Sequence, residues 1–167
     1  FLSNLEKNQD LKSALLEETP WVMQASNEQE RKKRIGLLFD LNRMADELGR
    51  ATIKLQKTQA SNGGWPWFEG MPESRYITQH IVEGFGHLDH LGIKSVRQDD
   101  KTWTMLKSAV NYLDNSIKED YDWLKRNLKK EDLEKNQLSY MAIHYLYGRS
   151  FFKELEIPKS SKEAFEY

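Results

Sequence analysis

Three histidines, His80, His87 and His90, sit close together in one stretch of the chain. His87 and His90 are three residues apart, a spacing at which two imidazoles on one helix face could share a metal ion. No third ligand follows at a matching interval, and Asp89 falls on another side of such a helix. The three therefore read as solvated or hydrogen-bonded histidines, and no metal site is assigned. His144, beside Met141 and Tyr145, reads as a core-edge residue. Trp65, Trp67 and Phe68 with Glu69 and Glu73 combine stacking rings and two carboxylates, the equipment of a glycosidase. Carboxylates from one short loop seldom reach a common bond, so a buried aromatic hinge with solvated acids is the simpler reading. Asp99-Asp100 precede Trp103 and read as a helix N-cap. The run Arg31-Lys32-Lys33-Arg34 follows Glu28 and Glu30 at helical spacing and reads as a solvated helix face. No catalytic, cofactor-binding or metal-ligating residue is assigned, and the chain is not expected to be an enzyme or to need a cofactor.

The bulk properties point the same way. The 167 residues have room for one domain with a real core. A hydrophobic share of 38% beside a charged share of 31% fits a globular helical protein with a solvated outer face. Twenty-five basic and twenty-six acidic residues leave a net charge of −1, so no global field draws in nucleic acid. There is no Cys, which excludes disulfides, thiolate metal sites and a Cys nucleophile within the chain. No apolar run approaches the roughly 20 residues of a membrane span.

The elements that must position these residues are helices. A first helix is expected over Ser3–Glu18, stopped by Pro20. Ser26 and Gln29 have capping-box spacing and open a second. Its stripe of Ile35, Leu38, Leu41, Ala45, Leu48 and Leu55 carries helix to Gln59, with a break near Asp40–Asn42 and Asn42 capping the second piece. Ser61–Pro72 is a loop, and Pro72 suits the first position of the next helix. That helix bears Ile77, Ile81, Phe85, Leu88 and Leu91 and ends at Gly92, with Gly84 and Gly86 allowing close packing. Further helices are expected over Lys101–Lys129 and Asn136–Leu155. Ser160 and Glu163 have capping-box spacing for a last one. No segment alternates with period two, so no β-sheet is expected.

Gln59-Ala60-Ser61-Asn62-Gly63-Gly64-Trp65 matches Q-x-x-x-G-x-W, which resembles the QW motif of terpenoid-cyclase-like α/α toroids. The spacing has a physical sense. A Gln at a helix C-terminus can bond backbone groups of the next hairpin, the glycines turn the chain, and the Trp ring folds back over the turn. The acidic D-x-D-D pattern of terpene cyclases is absent, and the zinc site of protein prenyltransferases needs a Cys that the chain lacks. Three longer segments, Ile35–Met44 (IGLLFDLNRM), Asn62–Gly70 (NGGWPWFEG) and Arg75–Leu88 (RYITQHIVEGFGHL), resemble the thioester-domain region of bacterial alpha-2-macroglobulin family proteins. The likeness runs from about Leu15 to Leu155. It implies paired helices arranged as a barrel within a very large extracytoplasmic protein of the periplasm or cell envelope. Such proteins trap a protease after it cleaves a bait region, in many members through a Cys–Gln thioester. The thioester motif C-x-E-Q is missing here; the only E-Q pair is Glu28-Gln29, with no Cys before it.

The expected fold is thus all-α, an incomplete α/α toroid of antiparallel helical hairpins. Residues 1–167 would form a single partial domain, the later hairpins of the thioester domain, truncated at both ends. A chain that opens at Phe1 and stops at Tyr167 one turn into a helix is expected to continue in its natural protein, leaving an apolar edge beside Ser160–Tyr167 and the N-terminal helix. The expected function is the non-catalytic portion of a protease-trapping endopeptidase inhibitor. Its partners would be proteases, through the parent protein, and other domains of that protein. A carbohydrate-active enzyme on a helical barrel and a protein-binding module are the alternatives.

Overall fold

The computed structural model describes residues 27–30, 32 and 41–167, the side chains of 41–44 excepted. The helix expected over Ser3–Glu18, Ser26 and the stripe at Ile35 and Leu38 lie outside the described residues. The chain divides into two compact units, residues 1–53 and 54–167. In the first, the cap comes from Asn27, whose Oδ1 accepts the Glu30 amide at 2.8 Å. This is the bond by which an Asn satisfies an orphan donor of a first helical turn. Lys32 pairs with Glu28 at 2.8 Å on an exposed face, as a solvated turn of helix should. Helix α1 spans Leu41–Thr58. Leu41 and Asn42 are both helical, so Asn42 is not a cap; Asp40, the other residue of the expected break, lies outside those described.

The second unit opens with the last turn of α1 and the loop after it. Among the described residues the fold is mostly helical, as expected of an all-α chain, with one correction. Trp65–Pro66 (β1) and Glu73–Ser74 (β2) form a two-residue antiparallel ladder, Trp65 opposite Ser74. Two residues are too few to show a period, so alternation could not reveal it. Helix α2 (Arg75–His90) begins after Ser74, not at Pro72, because the Ser74 hydroxyl accepts the Ile77 amide. It ends in a Schellman motif. Gly92 at φ 84° sends its amide to Asp89, and the Ile93 amide reaches Leu88. A single turn, α3 (Ser95–Gln98), leads to α4 (Asp100–Asn127). The short α5 (Lys130–Leu133) precedes α6 (Tyr140–Arg149), which passes into a 3-10 turn at Ser150–Phe152. Helix α6 starts four residues later than Asn136 because Ser139 supplies the cap, accepting the Ala142 amide at 3.1 Å. Helix α7 spans Lys162–Glu166. The capping box expected from Ser160 and Glu163 does not form. Glu163 instead accepts from Tyr121 at 3.0 Å and Lys125 at 3.2 Å, which binds α7 to α4.

The core of this unit gathers Trp65, Val82, Phe85, Val96, Met105, Leu106, Ala109, Val110, Leu113, Tyr145 and Phe152. Each large apolar side chain contributes about 1.5–3 kcal/mol by leaving water. Contact order gives the helix directions. Arg75 at the start of α2 pairs with Asp120 late in α4. Trp103 at the start of α4 meets Phe152 beyond α6, while Asp114 meets Tyr145 and Arg149. Helix α4 is therefore antiparallel to both neighbours. Residues 79, 83 and 87 of α2 meet 141, 144 and 147 of α6 in ascending order, so these two run parallel.

Candidate functional site

The seam between α2 and α6 is built in steps of one helical turn. Buried Gln79 donates from Nε2 to the Met141 carbonyl at 2.9 Å. One turn on, Glu83 meets His144, and at the next turn His87 Nε2 lies 3.3 Å from the Tyr147 hydroxyl. Beside it Gly86 lies directly beneath the Phe151 ring; a Cβ there would sit 2.6 Å from Cγ. Close approach was expected at both Gly84 and Gly86, but Gly84 faces open space. The two helices are thus clamped at both ends of a His–Glu cluster.

Glu83 is the hub of that cluster. Its Oε2 lies 2.7 Å from His144 Nε2 and 3.7 Å from His80 Nδ1, and its Oε1 lies 3.5 Å from His87 Nε2. His80, Glu83 and His87 share one face of α2 because residues three and four apart stack on a helix. His144 reaches in from α6 and is only 8% exposed. With the carboxylate ionised, His144 Nε2 is the protonated ring nitrogen, and the buried Nδ1 has no partner. Partial burial pushes the Glu83 carboxyl up, but the His144 hydrogen bond and charge, with His87 and His80 behind them, outweigh it and hold the group below the ordinary Glu value. Rings flank the cluster. Trp67 stacks on Tyr76 at 5.7 Å, Tyr76 meets His80 edge-on at 4.4 Å, and His80 lies 4.5 Å from the His144 ring. Two histidines and a carboxylate with donor atoms within 4.8 Å of one another are a ligand set for a divalent ion.

The metal spacing considered in the sequence, His87 with His90, is not the one brought together. His90 is exposed, whereas His80 and His87 both meet Glu83. The intervals of three and four around Glu83 were available as a signal. His144 had none, since it is sixty-one residues away and joins only through packing.

The aromatic loop separates into two roles. Trp65 is 1% exposed and donates from Nε1 to the Leu55 carbonyl at 2.8 Å, so it cannot stack on a sugar. The buried hinge expected of the three rings holds for Trp65 alone, since Trp67 and Phe68 are 55% and 72% exposed; Glu69 and Glu73 are solvated, as expected. Gln59 fills the role its motif suggested. Its Nε2 donates to the Gly63 carbonyl and to Met105 of α4, both at 2.9 Å. Asp99 caps α4, accepting the Thr102 amide at 2.8 Å and its hydroxyl at 2.6 Å.

Asp114 and Arg149 form a second polar centre, with no signal in the sequence. Asp114 is 1% exposed, accepts Tyr145 Oη at 2.7 Å and Arg149 Nε at 3.1 Å. Arg149 also donates to the carbonyl of Phe152, which ends the 3-10 turn, and to that of Leu155 beyond it. Desolvation pushes the Asp114 carboxyl up against the pull of Tyr145 and Arg149. Burial, then Asp114 beside it, holds the Tyr145 phenol far above its usual value. This centre is sealed from solvent and serves packing. An apolar cleft of about 620 Å³ opens between α4, α5, α6 and α7, lined by Leu124, Leu133, Leu138, Ala142 and Phe165. No helix among the described residues is long and apolar enough to cross a membrane. Comparison with family models, curated proteins and solved structures finds no match to this chain.

Proposed function

We propose that this chain is a non-catalytic helical portion of a protease-trapping protein similar to the bacterial alpha-2-macroglobulins, acting outside the cytoplasm in the periplasm or cell envelope. The observation that carries this reading is the clasp at Gln59. In a QW-like motif the Gln should bond the next hairpin and the Trp should fold over the turn. Gln59 bonds Met105, and Trp65 returns to Leu55. Helix order adds support: an α/α toroid alternates direction along the chain, and the three long helices of the second unit do so, with α4 antiparallel to α2 and α6 and those two parallel to each other. The toroid itself, and the place of this chain as its later hairpins, belong to the same proposal.

The chain would serve as scaffold and contact surface for other domains of the parent. The apolar cleft beside α7 and the exposed Ile143 and Leu146 of α6 suit such a contact. The test is the intact mass of the parent protein with and without methylamine, followed by protease challenge. A methylamine adduct that abolishes covalent capture of the protease is the expected result for a thioester trap. Inhibition without an adduct would mean physical trapping with the same assignment. The absence of both adduct and inhibition would overturn it.

A further inference from the structure

We propose that His80, Glu83 and His144 bind one divalent transition-metal ion of the zinc class, across the seam between α2 and α6. Two imidazoles and one carboxylate are donors of intermediate softness, which favour zinc, copper or nickel over calcium or magnesium. The geometry is near that of a bound ion. Donors at tetrahedral positions 2.0–2.1 Å from zinc stand about 3.4 Å apart. Here the separations from Glu83 Oε2 are 2.7 Å to His144 Nε2 and 3.7 Å to His80 Nδ1. The donor atoms of His80, Glu83 and His144 all lie within 4.8 Å of one another, so binding draws the side chains together around the ion. Gln79–Met141 on one side and Gly86–Phe151 on the other hold the two helices in register beside the cluster.

The three ligands differ in burial in a useful way. His144 is 8% exposed and anchors the ion, while the His80 side chain is 45% exposed and leaves a path from solvent. A fourth position remains for water or an incoming donor, as in metal sites that are not purely structural. His87 stands 3.5 Å from the other oxygen of Glu83 and orients the carboxylate. His144 Nδ1 lacks the acceptor that usually fixes a ligating ring, and such an outer partner is worth about 10–100-fold in affinity. The affinity is accordingly expected to be weaker by about that factor than at a site with a complete outer shell.

The test is calorimetric titration of the full chain with zinc chloride, repeated with cobalt chloride to read the absorption of a tetrahedral site. Variants His80→Ala and Glu83→Gln are compared with His90→Ala, whose ring lies outside the cluster, after circular dichroism shows each to be folded. The expected result is one ion per chain, affinity lowered at least about tenfold in the first two variants, and no change in the third. Absence of binding in the wild type, or equal affinity in all four proteins, would overturn the proposal.

Discussion

At the scale of single residues, the chain places its most consequential charges where water is scarce. Asp114 and Arg149 are both almost fully buried and satisfy each other together with Tyr145 and two carbonyls. Removing one partner strands the other, and an uncompensated buried charge costs about 3–5 kcal/mol. Asp114→Ala is therefore expected to lower stability by about that amount in urea-denaturation experiments, with Arg149→Met, which removes the opposite charge, restoring part of it in the double variant. Additive losses would show that the pair does not act as a unit. None of this could be read from the sequence, where Asp114 is one acid among many on a long helix.

Among elements, the joint between α1 and the β1–β2 ladder depends on a backbone that only glycine accepts. Gly63 has φ 97°, and a Cβ there would overlap the Ser108 carbonyl of α4. Gly63→Ala thus combines left-handed strain of about 1 kcal/mol or more with displacement of α4 from the loop. The expected outcome is a loss of about 2–4 kcal/mol by chemical denaturation. Gly84→Ala, in open space on α2, should be neutral or slightly stabilising by the same measurement. The Q-x-x-x-G-x-W spacing made this joint legible in advance. Gln59, Gly63 and Trp65 are local to one turn, and their partners follow from the hairpin they close. By contrast, the short ladder and the later start of α2 hinge on the helix opening at Arg75 behind the Ser74 cap rather than at Pro72, a competition between neighbouring starts that residue type alone does not decide.

At the scale of the whole molecule, Glu83 ties α2 to α6 through His144. Its carboxyl is held below the ordinary Glu value of about 4.3 by His144, His87 and His80. A depressed folded-state pKa supplies stability that is fully present above the unfolded value and is lost as pH falls through the folded one. The Tm difference between wild type and Glu83→Gln should therefore be present above about pH 4.3 and shrink as the pH drops below it. A constant difference across that range would mean that Glu83 acts through packing alone.

What the sequence by itself determined was the local physics. Helical stripes, the cap at Asp99, the stop at Gly92 and the turn after Gln59 each depend on residues within a few positions of one another. Period and capping chemistry therefore announced them, along with an all-helical fold. What only the tertiary structure decided were the meetings at long range: His144 with Glu83, Asp114 with Arg149, Phe151 over Gly86 and Glu163 with Tyr121. Each joins side chains that are unremarkable in isolation. Their partners are chosen by which faces the helices bury against one another, and that choice is made by the packing of the core as a whole.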